Sequence, residues 1–150
     1  MSWLLEEVGR ARAHVEVPEV VGKQRARSSG RGRFYTPRKT RDFEGRVREA
    51  WLEQVGDEWG KFTGPVTVSV AVTRELARSN PRWWAGRQDT MRPDGDNDLK
   101  AVLDALNGVA YADDAQVTLG TVEKMPRTPH GSGSRVSIRC TYYNETFEEE

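Results

Sequence analysis

The stretch Val66-Thr67-Val68-Ser69-Val70-Ala71-Val72 has a valine at every second position, directly after a chain break at Gly64-Pro65. An apolar residue at every second position is typical of a β-strand, because successive side chains point to opposite faces of a sheet. The segment is therefore the clearest predicted strand in the sequence.

Two segments have the spacing of helices. The first runs from Thr40 to Val55 and has one apolar stripe, formed by Phe43, Val47, Ala50, Trp51 and Val55. The second runs from about Asp98 to Asn107 and is ended by Gly108, a residue type that favours helix ends. Its residues predicted to face the core are Leu99, Val102, Leu103 and Leu106.

The remaining strand signals complete the fold prediction. His14 to Val21 alternates briefly and contains Pro18, which is typical of an edge strand, and residues 33–36, 116–124 and 135–143 are further predicted strands. This order predicts an α/β (α+β) fold, with a mixed sheet of about four to five strands and two main helices in one domain over residues 1–150. The N-terminus is expected to be flexible, the long loop 75–93 to be functional or disordered, and the acidic tail 145–150 to be frayed.

The charges are distributed unevenly along a chain whose formal net charge is zero. A neutral total argues against a general nucleic-acid binder. Residues 21–41, however, contain eight basic residues and no acid, whereas residues 94–114 contain six aspartates and one lysine. This asymmetry predicts that one segment holds a polyanion and that the other holds a metal ion.

Other compositional features exclude several classes of protein. Cys140 is the only cysteine, which excludes an intrachain disulfide and a cysteine-based zinc cluster. His14 and His130 are too few and too distant in sequence to suggest a metal site. No apolar run approaches the roughly 20 residues that span a bilayer, and no signal-peptide core is present. These features predict a soluble, intracellular protein.

The most acidic segment is Pro93-Asp94-Gly95-Asp96-Asn97-Asp98-Leu99-Lys100. Crowded carboxylates suit a hard divalent ion such as Mg²⁺, which takes oxygen ligands. An EF-hand is excluded, because its sixth position would be Leu99 and its twelfth Ala105. Helix capping by Asn97 or Asp98 within a solvated loop stays open, although it leaves Asp94 and Asp96 unexplained.

A second acidic pair, Asp113-Asp114, lies in Tyr111-Ala112-Asp113-Asp114-Ala115-Gln116, before a predicted strand. It is either an ordinary turn or the source of a carboxylate from a second element. Lys100 either forms a helical ion pair with Asp96 or Asp104, or offsets negative charge that develops on a phosphate.

Basic and aromatic residues supply candidate DNA contacts. The basic loop has Lys23, Arg25, Arg27, Arg31 and Arg33, which either contact phosphates or are simply solvated. Trp83 and Trp84, flanked by Arg82 and Arg87, either stack on exposed bases or lie in a dimer interface or the core. Trp3, Trp51 and Trp59 are interpreted as packing residues.

Several short motifs, in the same order from about residue 15 to 143, resemble the RusA family of Holliday-junction resolvases, the crossover junction endodeoxyribonucleases. The acidic ones are Pro93-Asp94-Gly95-Asp96-Asn97 with Lys100, Leu103-Asp104-Ala105-Leu106-Asn107-Gly108, Asp113-Asp114-Ala115-Gln116-Val117, and Glu123-Lys124. The basic ones are Lys23-Gln24-Arg25-Ala26-Arg27, Phe34-Tyr35-Thr36-Pro37 and Thr40-Arg41.

The resemblance implies a homodimeric, Mg²⁺-dependent endonuclease that nicks four-way DNA junctions symmetrically in recombination and repair, with Mn²⁺ able to substitute. Such enzymes are typical of phages and prophages, which implies the cytoplasm of a bacterial or phage-infected cell. By the same resemblance Asp94, Asp96 and Asp114 are metal ligands assisted by Asp113, Lys100 is needed for catalysis, and Lys124 joins the basic loop as a DNA contact.

Two positions depart from the family pattern. Asp98 stands where members more often have an apolar residue, which could shift the helix start or add an acid near the metal. Ala26 replaces a frequent proline, which concerns the rigidity of the basic loop. Two alternative functions remain: a nuclease with a broader specificity for branched DNA, and a non-catalytic, structure-specific DNA-binding protein.

Overall fold

The valine-rich segment forms an inner strand of a four-stranded sheet in the computed structural model, which describes residues 1–23, 27–28, 34–35 and 37–149. The elements, in chain order, are β1 (Ser2–Val17), β2 (Arg27–Ser28), β3 (Phe34–Tyr35), α1 (Arg38–Gln54), β4 (Val66–Thr73), α2 (Gly95–Leu106), β5 (Val117–Lys124) and β6 (Ser134–Glu148). A 3-10 turn at Arg82–Trp84 lies in the loop after β4, and another at Asp114–Gln116 precedes β5.

The sheet has the strand order β1-β6-β4-β5 and is mixed. β6 pairs antiparallel with both β1 and β4, whereas β4 pairs parallel with β5. A parallel pair needs a crossover connection, and α2 lies within the one between β4 and β5. The predicted fold class, strand number and helix number are therefore confirmed, and β1 occupies the predicted edge.

One face of the sheet packs against the two helices to form the core. The four valines of β4 are buried there, and they face buried apolar residues of the helices: Phe43, Val47, Trp51, Val102, Ala105 and Leu106. Burial of each large side chain contributes about 1.5–3 kcal/mol, so this layer supplies most of the stabilising energy. No helix in the described ranges is long and apolar enough to cross a membrane.

Two of the three tryptophans interpreted as packing residues do pack in the core. Trp51 is fully buried, and the ring of Trp59 stacks on that of Tyr142 with centroids 3.8 Å apart. Trp3 was a wrong assignment, because it is 67% exposed and its ring contacts Phe147 on the surface.

The two chain ends form a ribbon that extends beyond the rest of the sheet. β1 residues 2–7 pair with β6 residues 148–143, where the sequence predicted a flexible N-terminus and a frayed tail. The prediction placed the first strand at 14–21 and the last at 135–143, so it missed this extension at both ends. Each end satisfies the backbone hydrogen bonds of the other, a long-range effect that neither segment shows alone.

α2 begins at Gly95, three residues before the predicted start. The backbone N–H of Asp98 donates to the carbonyl of Asp94 at 3.1 Å, which closes the first helical turn. Asp94 thus occupies the N-cap position, and Asp96 and Asp98 lie in the first turn, where the positive end of the helix dipole favours acids. After the helix ends, Gly108 adopts φ +79°, as its predicted role at the helix end requires.

Candidate active site

The exposed face of α2 presents charged residues one turn apart. Asp96 and Lys100 are exposed, and Asp104 is partly buried on the same i, i+4 row. The opposite face, with Ala101, Val102 and Ala105, is buried against the sheet. The amphipathic pattern of this helix therefore fixes which charged side chains point outward.

The turn before β5 is packed against α2. The buried hydroxyl of Tyr111 donates to the carbonyl of Leu103 at 2.8 Å, and the side chain of Gln116 donates to the carbonyls of Phe62 (2.7 Å) and Gly64 (2.9 Å). Asp113 closes a capping box with Gln116, since its N–H donates to Gln116 Oε1 at 2.7 Å and its carboxylate accepts from Ala115. Asp113 thus holds the turn that presents Asp114.

Asp114 lies in the electrostatic field of α2. Partial burial, the adjacent Asp113 and the charge of Asp104 together raise the pKa of Asp114, whereas the positive charge of Lys100 lowers it. The charges of Lys100 and Asp104 on α2 therefore both act on Asp114, and the sequence indicated Asp104 only as a pairing partner of Lys100. A carboxylate that is repelled by its neighbours in this way is a favourable ligand for a cation.

The carboxylates are of the chemical type that binds a divalent cation, but they are not arranged around a single point. Hard divalent ions take carboxylate oxygens, and Asp94, Asp96 and Asp114 supply them from two elements. Among the described residues, however, no three His, Cys, Asp or Glu side chains are grouped so that they could hold a metal ion. The predicted ligands are thus on neighbouring elements but are not gathered into one ligand group.

Helix capping does not explain the acidic segment in the described part of the chain. Asn97 and Asp98, the two predicted caps, lie inside the helix, and the side chain of Asp94 makes no cap hydrogen bond. The acids near the start of α2 therefore stay available for another role, except Asp98, which faces the core.

Asp98 is a buried acid without a hydrogen-bond partner among the residues that the structure describes. It is 1% exposed, and neither carboxylate oxygen finds a donor. Burial raises the pKa of Asp98 to about 6; Arg74 and Lys124 oppose this increase, and Asp89 and Asp94 add to it. Asp98 faces the core and not the exposed row of Asp96 and Lys100, although the charge of Asp94 still acts on it.

Lys23 connects the start of the basic segment to α2. Its backbone N–H donates to the carbonyl of Asn97 at 3.0 Å, and its ammonium pairs with Glu44 (3.0 Å) and Asp104 (2.9 Å). Burial alone would lower the pKa of Lys23, but these two carboxylates raise it above its usual range. Arg25, Arg31, Arg33 and the side chain of Arg27 lie outside the described part of the structure.

Lys124, the other predicted DNA contact, is largely buried at the end of β5. Its ammonium donates to the carbonyls of Met91 and Pro93, the latter at 3.1 Å. Arg74, which the sequence reading did not single out, donates to the carbonyls of Met91 and Arg92. The signal that could have found Arg74 is its position directly after β4, because parallel strands bring their carboxyl ends to the same sheet edge.

The paired tryptophans have different surroundings. Trp83 is 77% exposed, which excludes the core for this residue. Trp84 is partly buried, and the guanidinium of Arg87 lies 4.5 Å from its ring centroid in a cation–π contact. Trp83 is therefore the member of the pair that is free to contact a partner from solution.

Comparison with known proteins shows the family of the chain. The model of the family described as endodeoxyribonuclease RusA matches residues 18–140, a range that includes both helices, β4, β5 and the first half of β6. No curated relative matches the chain. The family match confirms the resemblance that the short motifs carried, and RusA enzymes are nucleases that act on branched DNA and generally depend on divalent metal ions. On its sequence motifs, its fold and this match over most of its length, the chain belongs to the RusA family of endodeoxyribonucleases.

Proposed function

We propose that this chain is a Mg²⁺-dependent Holliday-junction resolvase that acts as a homodimer and cuts by paired, symmetric nicks. The observation that carries the proposal is the family match over residues 18–140, which contains the acidic face of α2 and the turn that presents Asp114. A four-way junction has two-fold symmetry at its crossover, and a C₂ dimer would supply the two sites that paired nicks need.

Each residue of the site has a distinct proposed role. Asp94, Asp96 and Asp114 would hold the cation, and Asp113 would keep the turn in place through its capping box. A cation held there would supply positive charge at the scissile phosphate and would lower the pKa of an attacking water. The ammonium of Lys100, exposed on α2 and near Asp114, would offset negative charge as it develops on the phosphate.

The substrate is held by charge outside this acidic face. The arginines between 25 and 33 are proposed to contact phosphates, which provide affinity without reading the sequence. The ammonium of Lys23 is already paired with Glu44 and Asp104. Lys23 begins this basic segment beside α2, and this placement supports a DNA path close to the acidic face.

Cleavage of a labelled mobile four-way junction, compared with linear duplex in Mg²⁺, Mn²⁺ and EDTA, tests the proposal. We expect metal-dependent paired nicks at the junction alone. Asp96→Asn and Asp114→Asn should abolish cutting and keep junction binding, whereas the matched surface change Asp57→Asn should cut as the wild type does. Cutting of flaps and forks at equal rates would indicate a broader nuclease, and binding without cutting in any metal would indicate a non-catalytic DNA-binding protein.

A further inference from the structure

We propose that Arg74 and Lys124 are positioning residues that clamp the backbone immediately before Asp94, and that Asp89 completes this clamp. The inference rests on the proposed role of Asp94 as a metal ligand. It assigns a function to two cations and one acid that the proposed reaction does not otherwise use.

Arg74 provides the central part of the clamp. Its guanidinium forms a two-pronged pair with Asp89, with Nε–Oδ2 and Nη2–Oδ1 distances of 2.8 Å each. The same Nη2 also donates to the carbonyl of Met91 at 2.7 Å, and Nη1 donates to the carbonyl of Arg92. The planar guanidinium has five N–H donors and makes all four of these hydrogen bonds at once, whereas an ammonium has only three donors.

Lys124 holds the same backbone from the neighbouring strand. Its ammonium donates to the carbonyls of Met91 and Pro93, and it lies 3.9 Å from Asp89. β4 and β5 are parallel, and Lys124 is paired with Val72, two residues before Arg74. The two cations therefore project from adjacent strand ends toward one stretch of chain.

Asp89 orients both cations. Its side chain is fully buried, and its Oδ1 also accepts the N–H of Met91 at 3.2 Å. Burial alone would raise the pKa of Asp89, but the hydrogen bonds and charge of Arg74, with smaller contributions from the Met91 N–H and Lys124, hold it below its usual range. Asp89 is thus ionised and paired.

These hydrogen bonds hold the backbone segment that leads to Asp94. Three consecutive carbonyls, those of residues 91, 92 and 93, each accept a hydrogen bond from the clamp. The next residue is Asp94, and its own carbonyl accepts the first hydrogen bond of α2. Because the backbone is held on both sides of Asp94, its carboxylate is presented in a limited set of directions, which is the condition for an accurately placed ligand.

This role differs from a DNA contact in measurable ways. The side chain of Lys124 is 17% exposed and its ammonium already binds two carbonyls, so a phosphate would have to displace them. A lysine that neutralises a phosphate gives a salt-dependent contribution to binding, whereas a clamp changes the positioning of Asp94 and leaves that salt dependence unchanged.

The test compares Lys124→Met and Arg74→Lys with wild type and with Lys61→Met, a change at an exposed lysine. We expect amide hydrogen exchange at residues 91–98 to be at least tenfold faster in both clamp variants and unchanged in Lys61→Met. Single-turnover cleavage at saturating junction should slow at least tenfold and need more Mg²⁺. The junction Kd in EDTA should stay within twofold of wild type, with the same salt slope.

Arg74→Lys is used because a variant without a positive charge beside the buried Asp89 is at risk of not folding, whereas lysine keeps that charge. Unchanged amide hydrogen exchange at residues 91–98 in both variants would overturn the proposed clamp. It would also be overturned if Lys124→Met cut the junction normally but bound it weakly, with a smaller salt dependence of binding. If the wild type cuts no DNA while both variants still loosen residues 91–98, the clamp stands and the proposed function fails.

Discussion

Replacement of Asp98 by leucine is expected to shift the free energy of unfolding in favour of the variant as the pH rises from 4 to 8. Most substitutions of buried residues are destabilising, but here the native side chain is a buried carboxylate with no donor within the described structure. An ionised group in such a position opposes folding, because it exchanges water for surroundings that do not solvate it.

The pKa of Asp98 gives the size of the effect. Its folded-state pKa is about 6, against an ordinary value of 3.8. Two pKa units correspond to about 3 kcal/mol, since each unit is worth about 1.36 kcal/mol. The folded state binds the proton more tightly than the unfolded state, so this cost is absent below pH 4, grows as pH rises through 6, and is complete at pH 8.

Urea unfolding of wild type and Asp98→Leu, from pH 4 to pH 8 in EDTA, measures the effect. The larger leucine side chain adds a packing cost of about 1–3 kcal/mol, but that cost does not depend on pH. We therefore expect the difference in free energy of unfolding to shift in favour of the variant by about 2–3 kcal/mol between pH 4 and pH 8. Asp98→Asn, which keeps the size and removes the charge, should show the same shift.

A difference between wild type and variant that is the same at pH 4 and pH 8 would refute this reasoning. It would mean that Asp98 has an ordinary pKa and that Arg74 and Lys124 fully compensate its burial. A shift of the opposite sign would mean that the ionised carboxylate is a net stabilising partner of these two cations.

Three further changes probe other parts of the molecule. Trp83→Ala should leave the free energy of unfolding unchanged, because the side chain is exposed. If Trp83 stacks on a base, the variant should bind the four-way junction more weakly by about 1–3 kcal/mol. Equal affinity of the variant and the wild type in a gel-shift titration would show that Trp83 is not part of the DNA interface. Gln116→Ala should destabilise the turn at Asp113–Asp114 by about 1–3 kcal/mol, because it removes the side-chain donor to the carbonyl of Gly64 and the acceptor of the Asp113 N–H. The midpoint temperature of thermal unfolding and the cleavage rate should both fall. Gly9→Ala should lower the free energy of unfolding by about 1–3 kcal/mol through overpacking, because a Cβ there would lie 2.5 Å from the ring of Trp59. The displaced ring should change the near-ultraviolet circular dichroism spectrum. An unchanged spectrum and an unchanged stability would contradict the packing described.

The sequence predicted those elements whose signals are local. The valine alternation of β4 and the apolar stripe of α1 were correct to within two residues, because each depends on the period of a single element. The ribbon of chain ends was missed, since residues 2–7 and 143–148 are strands only by pairing with each other. Sequence periodicity carries no information on such a partner.

The candidate site divides in the same way. Asp94, Asp96, Lys100 and Asp114 were predicted as site residues through the family resemblance, and the charge of Lys100 acts on Asp114 in the structure. Arg74 and Asp89 were not identified, because they are separated by 15 residues and meet only through the folded loop. The roles of these acids stay predictions, whereas the side chains that bind the backbone carbonyls before Asp94 were found only in the three-dimensional structure.

The clamp residues Arg74, Lys124 and Asp89 also explain why an acid is tolerated at position 98. An apolar site can accept an acid at reduced cost where cations lie nearby, and both Arg74 and Lys124 lower the pKa of Asp98. These two cations already face Asp89, so the clamp with Asp89 alone has one excess positive charge, which the ionised Asp98 offsets. The compensation is partial, because burial still raises the pKa of Asp98 to about 6. The departure from the family pattern is therefore tolerated beside the clamp, where two buried cations lie, and it would cost more at any apolar position of α2 that lacks them.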